Sequence, residues 1–294
     1  MWHGIWTAII TPIKNGEFDA QAFTALVERQ ITGGVNGLTV LGTTGESPVF
    51  DAAEREIIIR CALKAAADRV PIMVGCGGNN TKAAVESCAR AKALGAAGAL
   101  VVTPYYNKPT PEGLIAHYST IAREVDIPLI VYNVPGRTGC NVDPDTAAKL
   151  SEIETVVAFK EASGNTLQIM ETVRKCNRRV NILSGDDYFF LPYLACGVKG
   201  LVSVVSNLVP ERLAALYDAW TLGNTEEARR IQYALLPLEQ AMFMTTSPIP
   251  VKTASAMMGL CQEEFRLPLC AIAPALRPKL VAALKEAGLK LVRE

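Results

Sequence analysis

Gly4-Ile5-Trp6-Thr7-Ala8-Ile9-Ile10 runs straight into Thr11-Pro12. An uncharged run of this kind reads as a strand covered on both faces. The residues just past that strand decide the fold. An open, doubly wound sheet that binds a dinucleotide carries a glycine-rich fingerprint after its first strand. Thr-Pro supplies none, so the rival architecture, a closed barrel of parallel strands, is favoured.

The rest of the chain repeats the pattern. Further strands are predicted over Gly37–Leu41, Pro71–Gly75, Ala99–Thr103, Pro128–Asn133, Val156–Lys160, Asn181–Ser184 and Gly200–Val205. Between them lie amphipathic segments near 19–33, 51–67, 80–94, 111–124, 143–152, 165–176, 187–196 and 210–222, several opening on a capping residue (Asp19, Asp51, Thr81, Asp143, Asn165). The strand–helix unit recurs eight times, the count of a (β/α)8 TIM barrel. Beyond about residue 225 the strand signals stop. Helices are expected near 225–243, 249–258 and 271–289, broken by Pro248, Pro250, Pro268 and Pro274. The expected organisation is an α/β fold: a catalytic barrel over residues 1–224 and a C-terminal helical appendage over 225–294 packed on it, with no low-complexity linker between them.

Bulk properties narrow the partners. Half of the 294 residues are hydrophobic, enough for a large core. The 29 basic residues balance 29 acidic ones, which argues against nucleic acid and against an anionic membrane. A small molecule or a second copy of the chain is the expected partner. The eight cysteines form no C-x-x-C pair and read as reduced core residues of a cytoplasmic protein. With only His3 and His117, no histidine-based metal cluster is expected. The start of the chain has neither a basic segment nor a long apolar one, so no signal peptide is read there.

Lys160 ends the apolar run Val156-Val157-Ala158-Phe159. Burying an ammonium is costly, and desolvation favours the neutral amine, a nucleophile toward carbonyls. Lys160 is therefore a candidate Schiff-base former. The alternative is a strand-end lysine whose head reaches solvent. Barrel active sites gather at the carboxyl ends of the strands, and here the ends of five predicted strands are chemically rich. They carry Gly42-Thr43-Thr44-Gly45-Glu46, Pro104-Tyr105-Tyr106-Asn107, Tyr132-Asn133-Val134-Pro135-Gly136-Arg137, Lys160-Glu161 and Gly185-Asp186-Asp187. Thr43 and Thr44, between glycines, suit a carboxylate. Tyr132 can move protons beside a cationic imine. Arg137, carried on a Pro-Gly turn, suits a bidentate carboxylate. Each also has a plainer reading as a turn threonine, a core-edge aromatic or a surface ion-pair arginine. The run Gly75-Cys76-Gly77-Gly78 lacks the Lys-Ser/Thr of a phosphate loop and reads as close backbone packing, and Gly33-Gly34 reads as a helix stop.

On these residues the chain resembles, over essentially its whole length, the pyruvate-dependent class I aldolases of the dihydrodipicolinate synthase and N-acetylneuraminate lyase superfamily. The resemblance rests on the Gly-x-x-Gly-Glu pattern at Gly42–Glu46, on Tyr132 and on Lys160 one strand later. Gly-Thr-Thr-Gly-Glu, Pro104-Tyr105-Tyr106-Asn107-Lys108-Pro109 and Arg137 place it on the synthase side, since sialic acid lyases lack that arginine. The resemblance implies a lyase that condenses pyruvate with L-aspartate 4-semialdehyde through a lysine Schiff base, the first committed step of lysine (diaminopimelate) biosynthesis. It implies that Lys160 forms the imine and that Tyr132, Thr43 and Tyr106 relay protons. Thr44, the main chain at Val202 and Gly185 would bind pyruvate, and Arg137 would hold the semialdehyde carboxylate. No cofactor or metal is implied, because the imine itself is the electron sink. Tyr106 would reach into a neighbouring subunit, which implies a homo-oligomer, either a dimer or a tetramer built as a dimer of dimers.

One departure concerns regulation. Ser47, Asn79 and Tyr105 match the site at which relatives bind lysine as a feedback inhibitor, whereas Ala52, Arg55 and Ala83 stand where lysine-sensitive relatives carry two histidines and a glutamate. Weak or absent lysine inhibition is expected. The rival functions are a related pyruvate aldolase, such as a sialic acid lyase or a keto-deoxy sugar acid aldolase, and a non-catalytic barrel that senses keto acids.

Overall fold

The computed structural model describes residues 1–176 and 179–293. All eight expected strands are present: β1 (Gly4–Ala8), β2 (Gly37–Val40), β3 (Ile72–Gly75), β4 (Gly98–Val102), β5 (Leu129–Asn133), β6 (Val156–Glu161), β7 (Asn181–Ser184) and β8 (Gly200–Ser203). They hydrogen bond in the order β1-β8-β7-β6-β5-β4-β3-β2 as a closed barrel, with helices between the strands and further helices after β8. The strands are buried almost throughout, as expected for a parallel sheet covered on both faces.

The first strand is shorter than its apolar run. It stops at Ala8 because a side chain takes over from the ladder: Asn207 Oδ1 accepts from the Ile10 amide at 3.0 Å, and Asn207 Nδ2 donates to the Ala8 carbonyl at 2.8 Å. A two-stranded hairpin, Ile13–Lys14 with Glu17–Phe18, turns on Asn15 and Gly16, both at positive φ. Helix starts follow the expected caps at Asp19, Asp51 and Asp143. At Asp51 the box is reciprocal, with Glu54 returning to the Asp51 amide. The third helix is capped by Asn80, not Thr81, whose hydroxyl instead lies 2.9 Å from His117 Nδ1. The last helix starts at Arg277, later than expected, beyond Pro274.

Two compact units make up the chain. The first comprises Met1–Trp6 and Pro71–Val202. The β5–β6 register shifts once, between Leu129 and Ile130, and runs evenly from there: Tyr132 pairs with Lys160 and Asn133 with Glu161, while on β7 Leu183 pairs with Lys160. Close approaches explain two of its glycines. A Cβ on Gly77 would lie 2.3 Å from the Val102 amide nitrogen, and one on Gly200 would lie 2.3 Å from the Gly4 carbonyl oxygen. Within Gly75–Gly78 the close backbone packing read from the sequence holds at Gly77, whereas a Cβ on Gly78 would meet nothing within 4 Å. The second unit comprises Thr7–Val70 and Ser203–Glu294 and includes the helices Thr225–Ala241, Ile249–Met257 and Arg277–Glu286. Every residue of Ile249–Met257 is buried. Among the described residues no helix is long and apolar enough to cross a membrane.

Candidate active site

Lys160 lies near the carboxyl end of β6 and is only 5% exposed. The register sets it beside Tyr132, near the end of β5, and its Nζ is 4.1 Å from the centroid of the tyrosine ring. Successive strand residues face opposite sides of a sheet, so Lys160 and Tyr132 share one face while Glu161 and Asn133 share the other. Gly185, just after β7, makes room for the lysine stem: a Cβ there would come 3.1 Å from Lys160 Cε and 2.7 Å from the Ala162 Cβ. The Gly185 amide donates to the Glu161 carbonyl at 2.7 Å, which fixes the approach.

Behind this pair lies a polar layer that the sequence did not single out. Asn133 Nδ2 donates to both oxygens of Glu161, at 3.2 and 3.0 Å, and the Ser163 amide adds a third bond at 2.7 Å. Asn133 Oδ1 accepts from the Val142 amide at 2.9 Å. Asn141 accepts from Asn133 and from Gln168, and donates back to Gln168. Burial raises the Glu161 carboxyl above its ordinary range, and the bonds from Asn133 and Ser163 work against that shift. The available signal was the doublet Lys160-Glu161: two adjacent charged groups at the end of one buried strand must point to opposite faces, and each needs partners.

One acidic group, Asp186, interacts electrostatically with the lysine. Asp186 is pushed up to about 6, chiefly by burial, with Asp187 and Glu161 adding to the shift and Lys160 opposing it. Tyr193 is pushed up to about 12, first by burial and then by Asp186.

Arg137 lies on a one-turn helix, Pro135–Thr138, where a simple turn was expected, and its side chain is exposed. Thr138 anchors that turn: its hydroxyl donates to the carbonyls of Val134 and Cys140 and lies 3.3 Å from the Thr103 hydroxyl. Tyr106 follows β4 and is 89% exposed, with φ +73°, and Lys108 has φ +44°. A bulky side chain in the left-handed region is uncommon and strained, and here it holds the phenol away from its own chain's core. Val202 is fully buried in β8.

Thr43 and Thr44 follow β2, Thr43 half-buried and Thr44 buried. Their loop closes on itself: Gly45 and Ser47 amides donate to the Gly42 carbonyl, and the Glu46 amide donates to the Thr43 carbonyl at 3.1 Å. The Thr11 hydroxyl donates to the Gly45 carbonyl at 2.9 Å. Nearby, Arg55 Nη1 donates to the hydroxyl and carbonyl oxygens of Ser47. Among the described residues no group of three or more His, Cys, Asp or Glu side chains is placed to hold a metal ion.

The chain as a whole is similar to known proteins. A family model described as the dihydrodipicolinate synthetase family matches residues 1–287. The 4-hydroxy-tetrahydrodipicolinate synthase of Geotalea uraniireducens is 48% identical over 289 residues, covering 98% of this chain and 100% of the relative. The crystal structure of dihydrodipicolinate synthase from Aquifex aeolicus superimposes with a TM-score of 0.97 at 45% identity, covering 99% of this chain and 100% of that one. The chloride-inhibited dihydrodipicolinate synthase from Acinetobacter baumannii, solved in complex with pyruvate, gives 0.96 at 38% identity, covering 99% of this chain and 100% of that one.

Proposed function

Because the chain belongs to the dihydrodipicolinate synthetase family, we propose that it condenses pyruvate with L-aspartate 4-semialdehyde to 4-hydroxy-tetrahydrodipicolinate, committing carbon to lysine through diaminopimelate. The observation that carries this reading is the buried Lys160 amine, 4.1 Å from the Tyr132 ring in a matched strand register. Lys160 Nζ adds to the ketone carbon of pyruvate, and water leaves as the imine forms. The cationic nitrogen draws electrons from the adjacent methyl group, which gives up a proton to leave an enamine. The enamine carbon attacks the aldehyde of the second substrate, whose oxygen takes up a proton. The amino group of the semialdehyde then adds to the imine carbon and expels Lys160, closing the ring and freeing the enzyme. One water is released overall.

Tyr132 carries the protons, with Thr43 and Tyr106 completing the relay. Thr44, the main chain at Val202 and Gly185 receive pyruvate, and Arg137 receives the carboxylate of the semialdehyde. The exposed, backbone-strained Tyr106 supports a homo-oligomer in which this phenol serves a neighbouring subunit, as a dimer or a dimer of dimers. The cysteines, which form no disulfide among the described residues, support work in the reducing cytoplasm.

The test is a coupled assay with both substrates, combined with borohydride reduction in pyruvate. The expected result is turnover, and a peptide whose mass gain maps to Lys160. A protein that binds pyruvate but cannot be trapped would be a sensor, and the proposal would fall.

A further inference from the structure

A second lysine breaks an apolar run. Lys252 lies in the helix Ile249–Met257, with Ile249, Pro250 and Val251 before it and Thr253 to Met257 after it, and it is completely buried. Its Nζ donates to Glu46 Oε1 at 2.5 Å, and both side chains are 0% exposed although the residues stand 206 positions apart. Burial pushes the glutamate up and the lysine down, and each opposes the shift of the other. The Phe265 ring, 5.1 Å from Nζ, closes part of the surroundings.

A fully buried ion pair is a poor device for stability alone, since an apolar pair of similar volume is often neutral or better. Its directed geometry is what apolar packing cannot supply. Glu46 is not on a regular element. It is the last residue of Gly42-Thr43-Thr44-Gly45-Glu46 and holds φ +53°, a left-handed conformation unusual for a glutamate. Leu41, at the other end of the loop, has φ +55°. The Glu46 amide donates to the Thr43 carbonyl at 3.1 Å. The side chain of Glu46 therefore anchors in the C-terminal helix while its main chain holds Thr43. Room to relax is small: a Cβ on Gly45 would sit 3.1 Å from Leu41 and 3.2 Å from the Thr11 hydroxyl. Downstream, Arg266 braces the same segment by donating to the Val49 carbonyl and to Glu54 and by lying 4.8 Å from the Phe50 ring.

We propose that Lys252 and Glu46 are positioning residues for the ketoacid: the buried pair holds the Thr43–Thr44 loop in its strained conformation, so that its hydroxyls and amides are set before pyruvate arrives. The inference rests on the reading that this loop receives pyruvate. It predicts a selective defect. Loosening the loop weakens pyruvate binding and imine formation and leaves the semialdehyde, held by Arg137, largely unaffected.

The experiment compares wild type with K252M/E46Q, which removes the pair without stranding a charge, and with K252R, which keeps the charge. KM for each substrate, kcat and the rate of borohydride trapping with pyruvate are measured. In the double variant the expected result is a pyruvate KM raised about tenfold or more and trapping slowed to match, with the semialdehyde KM within about twofold of wild type. K252R is expected to recover most of the loss, with a pyruvate KM about threefold above wild type. Wild-type constants in the double variant would overturn the inference, as would equal rises in both KM values. Should the double variant fail to fold, an unchanged pyruvate KM in K252R would assign the pair to stability and likewise overturn it. Failure of the underlying reading is distinct: wild type itself would then not trap pyruvate.

Discussion

Tyr132 and Lys160 are register partners on adjacent parallel strands, and the lysine Nζ lies 4.1 Å from the tyrosine ring centroid. The ring packs against the amine, while only the hydroxyl can move protons. Y132F separates the two roles, because it keeps the ring. The fold and pyruvate trapping should persist, and kcat should fall by about two orders of magnitude, the usual range for a lost general acid–base group. Steady-state kinetics and trapping on the same preparation check this; a kcat within about threefold of wild type would remove Tyr132 from the relay.

The lysine stem is given space by Gly185. G185A adds a Cβ 3.1 Å from Lys160 Cε and 2.7 Å from the Ala162 Cβ. Overpacking of this kind costs about 1–3 kcal/mol: the Ala162 Cβ cannot move without its main chain, and the lysine stem beside it must shift as well. Imine formation should slow by about tenfold or more, with a modest drop in Tm. Stopped-flow trapping with pyruvate and a thermal melt give the two readouts.

The polar layer behind the site gives a stability prediction. Asn133 supplies bonds to both oxygens of the buried Glu161. N133A strips those donors from a buried carboxylate and should cost about 2–3 kcal/mol. E161Q keeps one acceptor and buries no charge, so its cost should be smaller. Urea unfolding of the two variants tests the order; a costlier E161Q would contradict it.

Two groups make opposite contributions to acid stability. Burial lowers His117 from 6.5 to about 4, so below pH 6.5 the unfolded chain takes a proton that the folded chain refuses. Its contribution is present above pH 6.5 and lost as pH falls toward 4. Asp186 is raised from 3.8 to about 6, so the folded chain keeps a proton that the unfolded chain gives up. Its contribution is present below pH 3.8 and lost as pH rises through 6. Between pH 7 and 4.5, H117Q should therefore gain about 2 kcal/mol relative to wild type, and D186N should lose about 1–2 kcal/mol relative to wild type. Denaturant titrations at the two pH values measure both differences.

Lysine regulation should be weak. Ala52 and Ala83 offer a bound ammonium no partner, and Arg55 engages Ser47 through both its hydroxyl and its carbonyl. Adding micromolar-range lysine should leave the condensation rate unchanged, and strong inhibition in that range would contradict this.

The barrel was legible because eight apolar runs alternate with capped amphipathic segments, and Lys160 was legible because it is a charge in such a run. The hairpin at residues 13–18 was not, since two residues per strand give no period to read. Thr81 was a reasonable cap by type, but its neighbour Asn80 has the longer reach and took the position, freeing Thr81 for His117. The helix over Pro135–Thr138 hid within a Pro-Gly pair that signals a turn equally well. Lys252 follows the apolar run Pro248-Ile249-Pro250-Val251 just as Lys160 follows its own. Its partner is remote in sequence, and no local pattern announces a pairing closed by the tertiary fold. The Asn133–Glu161 layer escaped for the same reason.

Gly77 and Gly78 stand side by side with opposite freedoms. A Cβ at 77 would strike the main chain of Val102, whereas one at 78 would meet nothing within 4 Å. In a saturation library selected for growth, codon 77 should return glycine alone, while its neighbour should drift among many residues. One member of this doublet is thus a fixed point of the barrel, and the other is open to evolutionary or engineered variation.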